Sequence, residues 1–265
     1  MRTVGRTGYV PAAMVCLGML VVGTNAISAP QGADIASLGQ ALFLDSSLSA
    51  NRNQSCASCH DSGQAFSDSR DNGVAGAVSL GDDGSSLGDR NTPGTTYASL
   101  IPDFHKNEMG EYVGGYFLDG RAATMTDQAA EPFVNPLEMA LPDAAAVVER
   151  VRENAYYVEA LRKHFGESIF LDSDKAFLAI TESIVAFERT ALFSPFDSKY
   201  DRYLRGEYEL TADEEIGRVL FFSQIINCSS CHLLDTREFS PHEVFSNHRY
   251  HNIGVPTNKQ VREKN

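Results

Sequence analysis

The sequence predicts a mainly α-helical protein organised as two small helical domains. Three observations carry this reading. Apolar residues recur at helical spacing in several stretches, and no convincing set of alternating strands is present. One short unit also occurs twice: a Gly-x-x-Leu-Phe edge followed by Cys-x-x-Cys-His.

Taken in order, the chain opens with Arg2 and Arg6, an apolar run from Pro11 to Val22, and small residues through Ala29. A basic start, short apolar middle and small-residue end describe a secretory signal peptide, here residues 1–26 with the cut after Ala26. The run is shorter than the ~20 residues a membrane span needs. Cys16 lies inside it and leaves with it. No later segment is apolar enough to cross a membrane, so the mature protein is expected in the periplasm without stable membrane insertion.

Ile35–Phe43 then reads as a helix leading through a polar loop to the first cysteine pair. Ser67–Thr96, rich in Gly, Asp, Ser and Asn and without a steady period, reads as a long loop. Asp143–Phe165 carries a helical stripe at Ala146, Val147, Val151, Ala155, Val158 and Leu161. Asp174–Phe193 continues the pattern with Phe177, Ile180, Ile184 and Phe187 until Ser194-Pro195 ends it. Thr211–Phe222 opens the second unit, with Thr211 as N-cap and Glu214 at N3 of a capping box. The expected domains are therefore 30–194 and 195–265.

With Cys16 removed, four cysteines remain, as Cys56-Ala57-Ser58-Cys59-His60 and Cys228-Ser229-Ser230-Cys231-His232. Cys-x-x-Cys-His is a c-type haem attachment sequence. Two thiols at that spacing reach the two vinyl groups of one porphyrin, and the adjacent His becomes the proximal iron ligand. A four-cysteine zinc site or two disulfides compete with this reading. Neither explains why a His follows both pairs. The edges Gly39-Gln40-Ala41-Leu42-Phe43 and Gly217-Arg218-Val219-Leu220-Phe221 precede the motifs, and Ala65-Phe66-Ser67 and Glu238-Phe239-Ser240 follow them. The domains are thus expected to be cytochrome c-like, each packing a Leu-Phe edge on a covalently bound haem c. The net charge of -13 excludes nucleic acid as a partner and leaves room for a basic protein.

Several stretches resemble the bacterial di-haem cytochrome c peroxidase family, which includes the MauG enzymes. They are Leu42-Phe43, the first Cys-x-x-Cys-His, Arg90-Asn91-Thr92-Pro93, Asp119-Gly120-Arg121-Ala122-Ala123, Gln128, Pro132, Asn135-Pro136 and Glu138-Met139. Phe187-Glu188-Arg189-Thr190, the second haem motif and Tyr250-His251-Asn252-Ile253-Gly254-Val255 complete the series. The resemblance implies a periplasmic peroxidase that reduces hydrogen peroxide at the haem of His60. Its electrons would come from a small cytochrome c or cupredoxin, or from a protein substrate oxidised in the MauG manner. It further implies that Glu138 and Gln128 stand on the distal side of that haem, with Pro132 shaping the pocket. His232 would hold the iron of an electron-relaying haem, and Asn91 would help hold a calcium ion. A non-catalytic di-haem carrier and an inactive remnant are the alternatives.

Three departures from the family pattern bear on these expectations. Leu118 stands where the family has an electron-relaying Trp, leaving tunnelling, Tyr116 or Phe117 to couple the haems. Residues 61–104 contain no His, so the first iron is expected to be open without reductive activation. The chain also stops at Asn265, where family members continue with the second haem's distal ligand. The second domain is therefore expected to be incomplete, with His242, His248 and His251 as weak substitutes for that ligand.

Overall fold

Helix α1 (Ile35–Leu44) starts where the Asp34 side chain accepts a hydrogen bond from the Ser37 amide at 2.8 Å. It buries Leu38, Gly39, Leu42 and Phe43 on one face. The computed structural model describes residues 34–74, 76–233 and 244–263. The expected signal peptide with Cys16, the Glu238-Phe239-Ser240 step and His242 lie outside them. The structure is mainly helical, as predicted. Its strands, among the described residues, are a two-stranded hairpin of β1 (His105–Lys106) and β2 (Tyr112–Val113), with His105 opposite Val113. No helix among them is long and apolar enough to cross a membrane.

The organising element is α6 (Ser173–Glu188), which packs against α1, α3 (Met125–Val134) and α4 (Ala144–Arg152). Small residues on its buried face, Ala176, Ala179 and Ser183, let neighbouring backbones approach closely. Gly39 meets α6 so tightly that a Cβ there would lie 1.8 Å from the Ser183 carbonyl oxygen. Phe43, Phe66, Phe187 and Phe193 form an aromatic cluster at the end of this contact, with centroids 4.3–6.0 Å apart. Phe43, Phe133 and Phe193 are fully buried, each a gain of roughly 1.5–3 kcal/mol over exposure.

The stripe over 143–165 divides into α4 and α5 (Ala155–Phe165). The break falls at Glu153-Asn154, where Asn154 caps α5 through the Tyr156 amide. Helix α6 stops at Glu188, and Thr190–Phe193 turns back into the aromatic cluster. The core runs from Leu38 to Phe193, and no described side chain between 197 and 233 is buried. That stretch holds α7 (Lys199–Leu204) and α8 (Ala212–Phe221), the latter opened by the predicted Thr211–Glu214 capping box.

The segment after the second motif returns to the first half of the chain. Gly114 donates to the His248 carbonyl, Tyr250 donates to the Gly114 carbonyl at 2.6 Å, and Arg249 pairs with Glu111 at 3.1 Å. Further on, the chain forms a short turn of helix, α9 (Lys259–Arg262), capped by Asn258. Val261 buries there against Val74, Val78 and Leu87.

Candidate active site

The first Cys-x-x-Cys-His opens on a short helix, α2 (Cys56–Cys59), and the His60 amide donates back to the Cys56 carbonyl at 2.9 Å. Among the described residues no disulfide joins the cysteines, and Cys56 and Cys59 line a cavity of about 420 Å³ together with His60. That volume lies within the range of small-molecule and cofactor pockets. Burial pushes both thiols above their usual range, and Arg70, 3.1 Å from Cys59 Sγ, only partly offsets this at Cys59. A structural zinc site takes four such ligands in a tetrahedron. Among the described residues no three His, Cys, Asp or Glu side chains gather as metal ligands.

The His60 ring has one nitrogen engaged and one left over. His60 Nδ1 donates to the Phe66 carbonyl at 3.1 Å, which leaves Nε2 as the free ligand nitrogen. Phe66 reaches this position in the left-handed region, with φ 58°. The Phe43 ring lies 6.4 Å from the His60 ring. The second motif repeats each part. The His232 amide donates to the Cys228 carbonyl at 3.0 Å, and His232 Nδ1 donates to the Phe245 carbonyl at 2.9 Å. Phe245 has φ 51°, and Phe221 lies 6.1 Å from the His232 ring. By this hydrogen bond Phe245-Ser246 is a structural counterpart of Phe66-Ser67. Cys228 and Cys231 are half-buried and His232 is exposed, away from the first cavity.

Helix α3 brings Gln128 and Pro132 to that cavity on one face, four residues apart. The Thr124–Asp127 capping box fixes its start. Pro132 has no amide to continue the helix, so the Gln128 carbonyl loses its partner and the helix ends by Val134. The chain then doubles back: Met139 donates to the Pro132 carbonyl at 3.1 Å and Leu141 to that of Phe133 at 2.8 Å. This turn carries Glu138 to the same cavity as Gln128 and Pro132. The long loop clamps it from outside, with Asp82 donating to the Glu138 carbonyl at 2.8 Å. Burial holds the Glu138 carboxyl above its usual range; Arg121 pulls it down and Glu131 pushes it up.

The cavity mouth carries a chain of ion pairs, Arg90–Asp119 at 2.6 Å, Arg121–Asp119 at 3.0 Å and Arg121–Glu131 at 3.1 Å. Asn91 stands at the same rim, exposed, and donates to the Gly76 carbonyl at 3.2 Å. Leu118 also lines the cavity and is 60% exposed. Its neighbours are more enclosed: the Tyr116 hydroxyl bonds the Ala98 and Ile101 carbonyls, and Arg121 lies 3.6 Å above the Phe117 ring. His60 is the single histidine among the described residues of the wall. His251 is exposed and pairs with Asn247.

One wall residue was singled out by no sequence argument of its own. Glu188 is 4% exposed, and its Oε2 has no hydrogen-bond partner. The signal was available: it stands four residues after Ile184 on the buried stripe of α6, a carboxylate where an apolar residue belongs.

Known proteins resemble this chain over most of its length. Residues 33–209 match the family described as di-haem cytochrome c peroxidase. The methylamine utilization protein MauG of Paracoccus denitrificans is 45% identical over 255 residues, covering 94% of this chain and 65% of that protein. Cytochrome c peroxidase Ccp of Escherichia coli is 34% identical over 223 residues, covering 80% of this chain and 40% of that one. The crystal structure of the dihaem peroxidase BthA from Burkholderia thailandensis superposes with a TM-score of 0.80 at 32% identity. It covers 89% of this chain and 57% of that chain. The chain therefore spans about two fifths to two thirds of the length of these relatives.

Proposed function

The chain belongs to the di-haem cytochrome c peroxidase family, and from that premise we propose that it reduces hydrogen peroxide at a haem held by Cys56, Cys59 and His60. The observation that carries this is one cavity lined by those three residues and by Gln128, Pro132 and Glu138. Bound there, haem supplies an iron that exchanges electrons and offers a coordination position to peroxide. The protein's own part is proton handling. Glu138, whose carboxyl burial raises above its usual range, takes a proton from one peroxide oxygen and returns it to the other. Gln128, with donor and acceptor on one amide, orients the peroxide, and Pro132 keeps the end of α3 open for it.

Cys228, Cys231 and His232 would hold a second haem c, which would supply an electron relay from a small cytochrome c, a cupredoxin or a partner protein being oxidised. We place this second haem domain at 195–265, beyond the core that ends at Phe193. Calcium at Asn91 and export to the periplasm with loss of residues 1–26 complete the reading.

The test is peroxide-dependent oxidation of a reduced small cytochrome by the haem-loaded chain, with cyanide binding measured alongside. Turnover together with cyanide binding supports the proposal. Fully saturated irons, without cyanide binding or turnover, would make the protein an electron carrier instead. Replacing Cys228 and Cys231 together by Ala is expected to lower the covalent haem count by one, read by intact mass and pyridine haemochrome. An unchanged count would remove the second site.

A further inference from the structure

Peroxide chemistry as proposed uses Glu138, but the cavity holds a second carboxyl with a different setting. Glu188 sits near the end of α6, enclosed on every side, with Oε2 unpartnered and the carboxyl on the cavity wall shared with Cys56. A carboxylate left unpaired in a low-dielectric wall is costly, so it is either protonated or balanced by a charge in the cavity. The second option arises only when the site itself is positive.

Few other groups compete for this role. Helix α1 and the 98–101 turn carry no titratable side chain. Helix α2 offers Cys56, which haem attachment consumes as a thioether. Helix α3 offers Glu131, held by Arg121 at the mouth. The segment after β2 offers Tyr116, with Asp103 and Arg189 acting on its hydroxyl from outside the cavity. On α4, Arg150 bonds the Ser47 and Ser49 carbonyls and Arg152 bonds Glu149. On α5, Glu159, Arg162 and Lys163 are solvent-exposed.

We propose that Glu188 is the internal proton acceptor of the His60 site, taking up one proton from solvent when that site gains one electron. An oxidised haem carries net positive charge and favours the neighbouring carboxylate; a reduced one is neutral and leaves the carboxylate unbalanced. Burial alone, with no haem charge present, pushes the Glu188 carboxyl to about 8, which is the condition the reduced site approaches. The electron comes from the external reductant and stays on the iron. The proton comes from water and ends on a Glu188 oxygen, so the cavity's net charge is conserved. This inference rests on haem attachment at Cys56 and Cys59 but not on peroxide turnover, so a loaded chain without peroxidase activity still tests it.

The experiment is a spectroelectrochemical titration of the haem-loaded full chain at a series of pH values around neutrality. One haem midpoint is expected to fall with rising pH, approaching 59 mV for each tenfold drop in proton activity. Glu188→Gln is expected to flatten that slope, and Glu138→Gln to keep it. A flat wild-type midpoint, a slope that survives Glu188→Gln, or one lost in Glu138→Gln would each overturn the proposal. Should Glu188→Gln fail to fold, reduced-minus-oxidised infrared spectra of the Glu138→Gln protein decide. The carbonyl stretch of a newly protonated carboxyl, shifted in D₂O, supports the assignment, and its absence defeats it.

Discussion

Replacing Glu138 by Gln is expected to lower peroxide turnover by about 10²-fold or more while haem content stays the same. The substitution keeps the side chain's length and its ability to accept a hydrogen bond, and removes only the exchangeable carboxyl proton. The backbone at 138 is held independently of the side chain, through the Asn135 carbonyl on one side and the Asp82 amide on the other. The turn should therefore survive the change. A 10²-fold loss corresponds to about 2.7 kcal/mol of transition-state stabilisation, the usual size for a positioned acid–base group. The loss should fall on kcat/KM for peroxide and not on the donor's KM, because Glu138 lines the cavity. Turnover within twofold of the parent protein, with haem intact, would take Glu138 out of the mechanism.

Much of this arrangement is legible in the sequence wherever local chemistry decides it. The Gly-x-x-Leu-Phe edges do become the ends of α1 and α8, and Phe43 and Phe221 do lie beside the motif histidines. The capping box at Thr211 and the long loop after Ser67 also form where expected. What escapes is set by contacts distant in the chain. The stripe over 143–165 is continuous in period, yet Asn154 breaks it because its side chain bonds the backbone locally. Helix α3 is hidden by its own Pro132, which reads as a breaker but sits late enough to leave two helical turns before it. The carbonyl partner of His232 cannot be found by spacing. It lies six residues after His60 in the first motif and thirteen after His232 in the second. The convergence of Gln128, Pro132 and Glu138 on one wall came from resemblance, since nothing in their spacing announces a turn that doubles back. Glu188 lay within a matched stretch, but its significance depends on burial, which a helical stripe only hints at.

The duplicated glycine gives the sharpest contrast between sequence and packing. Gly39 and Gly217 hold the same place in the repeated edge, and both are helical, so by propensity alone alanine should stabilise each by roughly 0.5–1 kcal/mol. At Gly217 nothing lies within 4 Å of an added Cβ, so the propensity gain should be realised. Gly217→Ala is expected to slow amide exchange in α8. At Gly39 the new Cβ would lie 1.8 Å from the Ser183 carbonyl oxygen and 2.6 Å from its carbon. Those are backbone atoms of the central helix and cannot rotate away. Helix α1 would have to lift off α6, loosening Leu42 and Phe43 from the aromatic cluster that abuts His60. Overpacking of this kind costs typically 1–3 kcal/mol, and the rigid partner puts Gly39→Ala at the upper end. For a domain of this size that is a fall in melting temperature of about 6–12 °C. The haem-loaded variants, melted side by side, should therefore move in opposite directions. A Gly39→Ala protein as stable as its parent would mean that α1 does not seat on α6 as described, and the wall that holds His60 would need rebuilding.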